Sequence, residues 1–366
     1  MATNIKNLKP ARIISPGEII ADEIESRMWT QEDFADIIGV SIQTVNKLIK
    51  NKTSITTEMA VALGAALGQS TEFWINLDTR YRSLKFANKE KEVALKSEIY
   101  ALMPIGEMAK RNWIDKGNIL ESILSFFRCD KWETIRDKEI CGLFKKSDKF
   151  TERFNRNAAN CWFQRAKNIS ETITVAPYDS DKLEKLLSNI SQYTIKPNGL
   201  SDFLDELTNC GVKFFVLPHL SKTFTDGAAF YKDGNPVIVY TARHKRLDNF
   251  WFVLAHEIVH ILRHLNGENW YIIETDEIEI NNIEKEANQE AQKALKHNLI
   301  YQHLKDMVDY LPIYQIKTVA STIGIHPCII IGAMSRIKEQ YHRRLHEFNE
   351  ELMALIPDKY QIEKLP

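Results

Sequence analysis

The segment from Phe250 to Leu262 constrains the fold of this chain more than any other. It is the most apolar stretch of the 366 residues, yet three ionisable side chains, His256, Glu257 and His260, interrupt it. A helix that is apolar nearly all round is usually buried, and buried ionisable groups need partners. The sequence therefore predicts a buried helix with a polar site built into it.

The spacing of these three residues is typical of a zinc (Zn2+) site. In a helix, His256 and His260 stand one turn apart on one face, so both can bind one ion, while Glu257 is angled toward a water on that ion. Zinc lowers the pKa of such a water toward ~7, and Glu257 can then act as general base and pass the proton to a departing amine. Peptide hydrolysis is the natural reaction class. A structural pair of histidines is the alternative, since chance produces this spacing in about 2 % of such chains.

A catalytic zinc needs a third protein ligand. His264 follows on the same side of the helix but one turn too far, so we expect it at the surface or behind the ligands. A glutamate on the next helix is a better candidate. The inward stripe of that helix is formed by Ile283, Ala287, Ala291 and Ala294. Glu286 and Glu290 flank the stripe on one side and Glu284 on the other. The positions around the helix leave Glu286 and Glu290 as the two candidates for the third ligand.

Residues 10–83 carry five short helical patterns. Ser15-Pro16-Gly17-Glu18 begins the first with a capping Ser, a Pro at the first helical position and a Glu three residues after the cap. Further on, Ala35 is small enough for two helices to cross closely, and Gly39 can adopt the positive φ of a tight turn. Five apolar residues are spaced to fill a shared core: Phe34, Ile38, Val40, Val45 and Leu48. The pattern predicts a helix-turn-helix.

Five polar side chains then face outward from the third helix: Gln43, Thr44, Asn46, Lys47 and Lys50. Residues 41–52 contain three Lys and no acidic residue, so this surface is locally basic although the net charge of the chain is −1. In a helix-turn-helix such residues contact base edges and phosphates in the major groove. We therefore predict double-stranded DNA as a partner; the alternative is a small helical bundle used for protein contacts.

The rest of the chain predicts a mostly helical α+β protein. Residues 84–200 are expected to form a helical connector without recognisable chemistry. Residues 201–340 predict a small antiparallel sheet, with a hairpin turning at Asp233-Gly234, ahead of the buried helix. Within them, 316–327 repeats the spacing of the first motif, and packing is favoured there over a second DNA reader. Residues 341–366 predict a charged C-terminal helix suited to dimer or partner contacts.

Cysteine usage and hydropathy bear on location. The five cysteines are scattered and form no CxxC pair, which suits a reducing compartment. Neither a signal segment nor a membrane span is recognisable. We expect a cytoplasmic protein without a membrane partner.

The N-terminal motifs resemble a known family. Ser15 to Glu18, the Ala35 and Gly39 motif, and Gly68 through Leu77 are similar to the HigA-type antitoxin branch of Cro/repressor-like (XRE) domains. The resemblance spans residues 12–82. It implies a homodimer on a pseudo-palindromic operator, because two symmetric recognition helices need half-sites about one helical turn apart.

A second resemblance covers roughly residues 205–335. Phe250-Trp251, His256-Glu257-x-x-His260 and, about 25 residues later, the segment 284–288 are similar to the ImmA/IrrE zinc metallopeptidases, which implies a zincin-like domain. In that family the third ligand is the Glu before Ala-Asn, hence Glu286. Glu290 stands where the family usually has an aromatic residue, which makes it a possible second-shell or competing ligand.

Together the resemblances imply a DNA-binding regulator fused to a zinc endopeptidase. Its substrate is expected to be a regulatory, toxin-antitoxin or prophage partner protein, such as a cognate toxin or repressor. The alternative is a non-catalytic repressor or antitoxin whose zinc domain is a sensor or scaffold. Glu257 favours the enzyme, because a structural zinc needs no general base.

Overall fold

The computed structural model describes residues 13–137, 156–223, 225–265, 277–348 and 350–363, with the side chains of 277–281 excepted. The first three residues of the predicted module 10–83 thus lie outside the described ranges. The chain divides into two compact units, one ending at Ile99 and the next beginning at Tyr100. Both are mainly helical and the second adds a small sheet, which confirms the predicted α+β class.

The first unit contains the five predicted helices and most of a sixth. They are α1 (Pro16–Ser26), α2 (Gln31–Ile38), α3 (Ile42–Ile49), α4 (Thr57–Leu67), α5 (Thr71–Lys85) and α6 (Ala87–Leu102). The predicted signals are in place: Ser15 and Glu18 form a reciprocal capping box, and Gly39 ends α2 at φ +67°. Phe34, Val45 and Leu48 are buried, with Ile38 and Val40 packed against them.

One polar contact in this unit has no signal in the sequence. Asn51, just after α3, accepts a hydrogen bond from the Gly17 N–H through Oδ1 (3.0 Å) and donates one to Ser15 Oγ through Nδ2 (2.9 Å). The end of α3 is thereby held against the start of α1. This contact fixes the orientation of the helix that carries the predicted DNA-binding residues.

The second unit is built around one sheet and a buried helix. Its helices before the sheet are α7 (Ile105–Lys110), α8 (Ile119–Phe127), α9 (Trp132–Arg136), α10 (Arg156–Ser170), α11 (Ser180–Ser188), α12 (Ile190–Tyr193) and α13 (Gly199–Asn209). The strands are β1 (Lys213–Val216), β2 (Gly227–Lys232) and β3 (Asn235–Tyr240). After them come α14 (Leu247–Val259), a π-helical turn (His260–His264), α15 (Glu277–Ala294), α16 (His297–Leu304), α17 (Ile313–Ile323), α18 (Pro327–Ser335) and α19 (Leu352–Leu355). Short 3-10 turns occur at Lys305–Met307, Glu339–Arg344 and Asp358–Tyr360.

The sheet corrects one prediction. Its order is β1-β3-β2, with β2 antiparallel to β3 as expected for the hairpin, but β1 runs parallel to β3. The hairpin is a local structure, because Asp233 and Gly234 adopt the positive φ that a tight two-residue turn requires. The direction of β1 depends instead on how the connection to β2 crosses the sheet, which a strand's own residues do not determine.

Helix α14 is the buried helix that the sequence predicts. Every residue from Phe250 to Val259 is buried, and the helix packs against β2, β3, α15 and α18. The regular α-helix ends at Val259, and a π-helical turn carries the chain from His260 to His264. Such single π turns are rare and often mark functional sites.

The predicted C-terminal helix is wrong. In place of a continuous helix, 341–363 contains a 3-10 turn, the four-residue α19 and a second 3-10 turn. Tyr341, Leu352, Ile356 and Tyr360 are buried in the same hydrophobic cluster as α14. This segment therefore completes the core of the second unit. The later part of the predicted connector does so too, since Leu183 and Leu187 of α11 belong to that cluster.

The repeated motif near the C terminus also packs into this core. Gly324 ends α17 at φ +65°, and Ile316, Val319 and Ile330 are buried in the same hydrophobic cluster as α14.

Within the described ranges no single helix is long and apolar enough to cross a membrane. One pair of helices is long and apolar enough only when the two are counted together: Ile313–Ile323 and Pro327–Ser335. These helices are bent by 111° at the break between them.

Candidate metal centre and DNA interface

Three side chains of the second unit converge on one point. His256 and His260, each about 1 % exposed, bring their Nε2 atoms to 2.9 Å, and the Glu284 carboxylate approaches both rings. Glu284 Oε2 lies 3.3 Å from His256 Nε2, and Oε1 lies 3.2 Å from His260 Nε2. Two imidazole nitrogens and one carboxylate oxygen thus face a common centre.

The spacing of these atoms fits a zinc ion. Zinc binds nitrogen and oxygen ligands at about 2.0–2.2 Å in tetrahedral geometry, which places ligand atoms about 3.3 Å from one another. The two imidazole nitrogens are 2.9 Å apart, and each has a different oxygen of the Glu284 carboxylate at 3.2 or 3.3 Å, separations close to that value. Two His and one Glu are also the ligand set of one class of catalytic zinc sites, which keep a fourth position open.

The charge state of Glu284 suits this role. Burial disfavours the ionised carboxylate, but hydrogen bonds with His256 and His260 outweigh that effect and hold the pKa of Glu284 well below its usual range. An ionised oxygen is therefore available next to the two imidazoles.

The structure corrects the expected position of Glu286. Its side chain is 55 % exposed, and its Oε2 lies 3.4 Å from His264 Nε2 rather than beside His256 and His260. The reason is helical phase: 284, 287 and 291 have the i, i+3, i+7 spacing of one helix face. Ala287 and Ala291 are fully buried against the core, so Glu284 is carried to the same side. That spacing was the available signal for Glu284.

His264 lies directly behind His260. Its side chain is 6 % exposed, and its Nδ1 is 3.0 Å from His260 Nδ1, on the side of that ring away from Glu284. The π turn brings the two rings this close. Burial and the neighbouring His260 lower the pKa of His264, which favours a neutral ring. A hydrogen bond of this kind orients a ligating histidine.

Glu257 is buried beside strand β2. A Cβ at position 227 would lie 2.9 Å from Glu257 Oε1 and 2.7 Å from Val253 Cγ1. Any residue other than glycine would therefore push these side chains aside. β2 is also an edge strand of the described sheet. The carboxylate packs against the backbone of β2 at Gly227.

The predicted DNA-binding residues divide into two groups on α3. Gln43, Lys47 and Lys50 are exposed and lie on one face at i, i+4 and i+7. Thr44 and Asn46 are half-buried and make contacts within the helix: Thr44 Oγ1 lies 2.9 Å from Ser41 Oγ, and Asn46 Nδ2 donates to the Ile42 carbonyl. The exposed face is the candidate surface for DNA.

Comparisons with known proteins separate the same two parts. Residues 20–74 match the family described as helix-turn-helix, and residues 215–324 match the IrrE N-terminal-like domain. The HTH-type transcriptional regulator YddM of Escherichia coli is 30 % identical over 87 residues, which are 24 % of this chain and 92 % of that protein. Antitoxin HigA-1 of Vibrio cholerae is 38 % identical over 79 residues, 19 % of this chain and 74 % of that protein. The chain is a HigA-type helix-turn-helix protein fused to an IrrE-like domain.

Solved structures resemble the N-terminal part of the fusion. The Pseudomonas aeruginosa antitoxin HigA with the higBA promoter is 32 % identical, and the match covers 22 % of this chain and 91 % of that one with a TM-score of 0.21. A HigA-family addiction module antidote protein from Coxiella burnetii is 29 % identical, with 24 % and 96 % covered and a TM-score of 0.22.

Glu290 forms an ion pair outside the group of His256, His260 and Glu284. It pairs with Arg263 at 3.2 Å, and Arg263 also makes a bidentate contact with Glu184 of α11 at 2.7 and 2.8 Å. The hydrogen bonds from Arg263 lower the pKa of Glu184. This cluster ties α15 and α11 to the π turn that begins at His260. Sequence reasoning did not identify Arg263, because its partners lie 79 and 27 residues away.

Proposed function

We propose that this protein is a DNA-binding regulator whose IrrE-like unit is a zinc-dependent endopeptidase. The observation that carries the proposal is the convergence of buried His256 and His260 with the partly buried Glu284, with Glu257 on the same helix as the two histidines. The two buried imidazoles have no evident purpose in packing alone, because each loses hydration on burial. His256, His260 and Glu284 are the proposed ligands.

The proposed chemistry divides between the ion and the protein. A zinc ion at this position supplies a Lewis acid that polarises a carbonyl and acidifies a water. Glu257 accepts the proton of the attacking water at its carboxylate and delivers it to the departing amine. The low exposure of Glu257, about 2 %, keeps this carboxylate away from bulk solvent.

The DNA-binding half of the proposal rests on α3. Gln43, Lys47 and Lys50 present one amide and two positive charges on a single exposed face, with Thr44 and Asn46 at its border. The amide suits base edges and the lysines suit phosphates or bases. Because operators of such domains are two-fold, we propose a homodimer on double-stranded DNA, in the cytoplasm where that DNA lies. The proposed substrate is a regulatory or toxin-system protein.

The test compares cells that express the wild-type protein with cells that express Glu257→Gln. We expect one or more proteins to be cleaved in the wild type alone, while purified samples of both hold similar amounts of zinc. Glu286→Gln is the matched control, since this carboxylate is exposed and lies outside the group formed by His256, His260 and Glu284, so the substitution is expected to leave cleavage unchanged. Zinc retention without any cleaved protein would instead favour a non-catalytic regulator.

A further inference from the structure

A second polar cavity lies in the same unit as the metal centre. It has a volume of about 220 Å³ and is formed by the start of α14, by α16 and by the end of α18. None of the four metal-centre residues His256, Glu257, His260 and Glu284 lines it. Its polar lining includes Arg246, Asp248, Asn249, His297 and Arg336.

His297 lines this cavity with an unpartnered buried nitrogen. The side chain is 3 % exposed and its ring packs against Phe252 and Tyr301, but its Nδ1 has no hydrogen-bond partner among the described residues. Burial, with a smaller contribution from Arg336, lowers the pKa of His297 to about 3, so the ring is neutral and carries one N–H donor. Buried polar groups in native proteins nearly always have a partner.

The two arginines that line the cavity, Arg246 and Arg336, differ in their ion pairing. Arg246 is paired with Asp248 at 3.0 Å, whereas Arg336 makes no ion pair among the described residues. The Arg336 guanidinium lies over the Phe252 ring, 3.7 Å from its centroid, which holds it at the exposed rim of the cavity. One positive charge is therefore available to a bound group.

A third polar atom, the amide oxygen of Asn249, is a hydrogen-bond acceptor and suits a hydroxyl on the body of a ligand rather than its charged group. Asn249 Oδ1 is buried and has no hydrogen-bond partner in the described part of the chain. Ile329 and Ala333 supply an apolar wall. The cavity thus offers a cation, a neutral N–H donor, an amide and a hydrophobic surface, which is the combination that recognises an organic anion rather than a hydrated ion.

We propose that this cavity binds a small organic carboxylate, with its charge on Arg336 and His297 and its body against Ile329 and Ala333. A volume of about 220 Å³ corresponds to roughly seven water molecules at about 30 Å³ each, enough for a molecule of benzoate size. The Phe252 ring lies between this ligand and the metal centre, since its centroid is 6.3 Å from that of His297 and 6.2 Å from that of His256. The site is separate from the proposed peptidase chemistry and does not depend on it.

Calorimetric titration of the full chain tests the proposal, with benzoate, lactate and inorganic phosphate as the probes. We expect saturable binding of at least one carboxylate, weakened about tenfold or more in Arg336→Met and in His297→Phe, which keeps the stacked ring and removes the N–H. Arg336→Lys should retain part of the affinity. Arg343→Met, an exposed neighbour outside the cavity, is the matched control and should bind as the wild type does.

Two results would overturn the site, and a third would overturn the class of its ligand. One is the absence of any carboxylate binding up to about 10 mM in the folded wild type, and the other is equal binding in wild type and both cavity variants. Phosphate that binds as tightly as the carboxylates would overturn the ligand class. Circular dichroism and zinc content verify that each variant is folded, so a folded variant with unchanged binding counts against the site.

Discussion

Glu284 Oε2 lies 3.3 Å from His256 Nε2, across the gap between helices α15 and α14. The two residues are 28 positions apart, and only the packing of the two helices brings them together. Ala287 and Ala291 are small and fully buried, which allows α15 to approach α14 closely enough for the carboxylate to reach both imidazoles.

This relationship predicts which glutamate retains zinc. Glu284→Gln should lower zinc affinity by at least about 100-fold, because it removes a charged ligand. Glu286→Gln should stay within about threefold of the wild type. Chelator competition and elemental analysis measure both, and equal zinc retention in the two variants would contradict the assignment of Glu284.

His264 should act on zinc through His260. Replacement by Phe, which keeps a ring but removes the contact with His260 Nδ1, is expected to weaken zinc binding by about 10–100-fold without abolishing it. The exposed His303→Phe serves as control. Unchanged affinity in His264→Phe would show that the contact does not orient the ligand.

Gly227 should be intolerant of any side chain. We expect Gly227→Ala to cost about 1–3 kcal/mol in the free energy of unfolding, because its Cβ would collide with Val253 and Glu257. Gly106→Ala is a sharp control, since nothing lies within 4 Å of that Cβ and the residue is in helix α7. There the change should be neutral or stabilising by about 0.5–1 kcal/mol. Urea unfolding compares the two, and similar effects would argue against close packing at Gly227.

The exposed face of α3, formed by Gln43, Lys47 and Lys50, should bind DNA with an affinity that falls as the salt concentration rises. The double variant Gln43→Ala/Lys47→Ala is expected to lose specific binding to the operator. Loss of one phosphate contact should also reduce the salt slope by about 1. Lys89→Ala, an exposed lysine of α6, should behave as the wild type in gel-shift titrations at several salt concentrations. An unaltered affinity in the double variant would remove α3 from the interface.

Acid should destabilise the second unit through His297. Its folded-state pKa of about 3 lies below the ordinary value of 6.5, so the unfolded chain binds the extra proton between these values. The contribution of neutral His297 to the free energy of unfolding is complete above pH 6.5, and it declines as the pH falls toward 3. At pH 5 the loss should be about 2 kcal/mol relative to pH 7.5. The free energy of unfolding of His297→Phe, measured across this pH range, should lack this loss. If the wild type and the variant lose stability in parallel as the pH falls, the assignment of the loss to His297 is contradicted.

Several features were accessible from the sequence because they depend on neighbours along the chain. The i, i+4 pair His256 and His260 with Glu257, the positive φ at Gly39, the capping box at Ser15 and the hairpin at Asp233-Gly234 are all local. Helical and turn geometry repeats over three to five residues, so side-chain spacing predicts it directly.

Only the tertiary structure decided the features that join distant segments. Glu284 in place of Glu286, the parallel pairing of β1 with β3, and the burial of Tyr341 and Tyr360 depend on how elements approach one another. The π turn that sets His264 against His260 belongs to this group as well. The order of residues along the chain is enough to predict which side chains share a helix face or a turn. The angle and distance at which those faces meet follow from the packing of the whole core, to which no single pattern of residues corresponds.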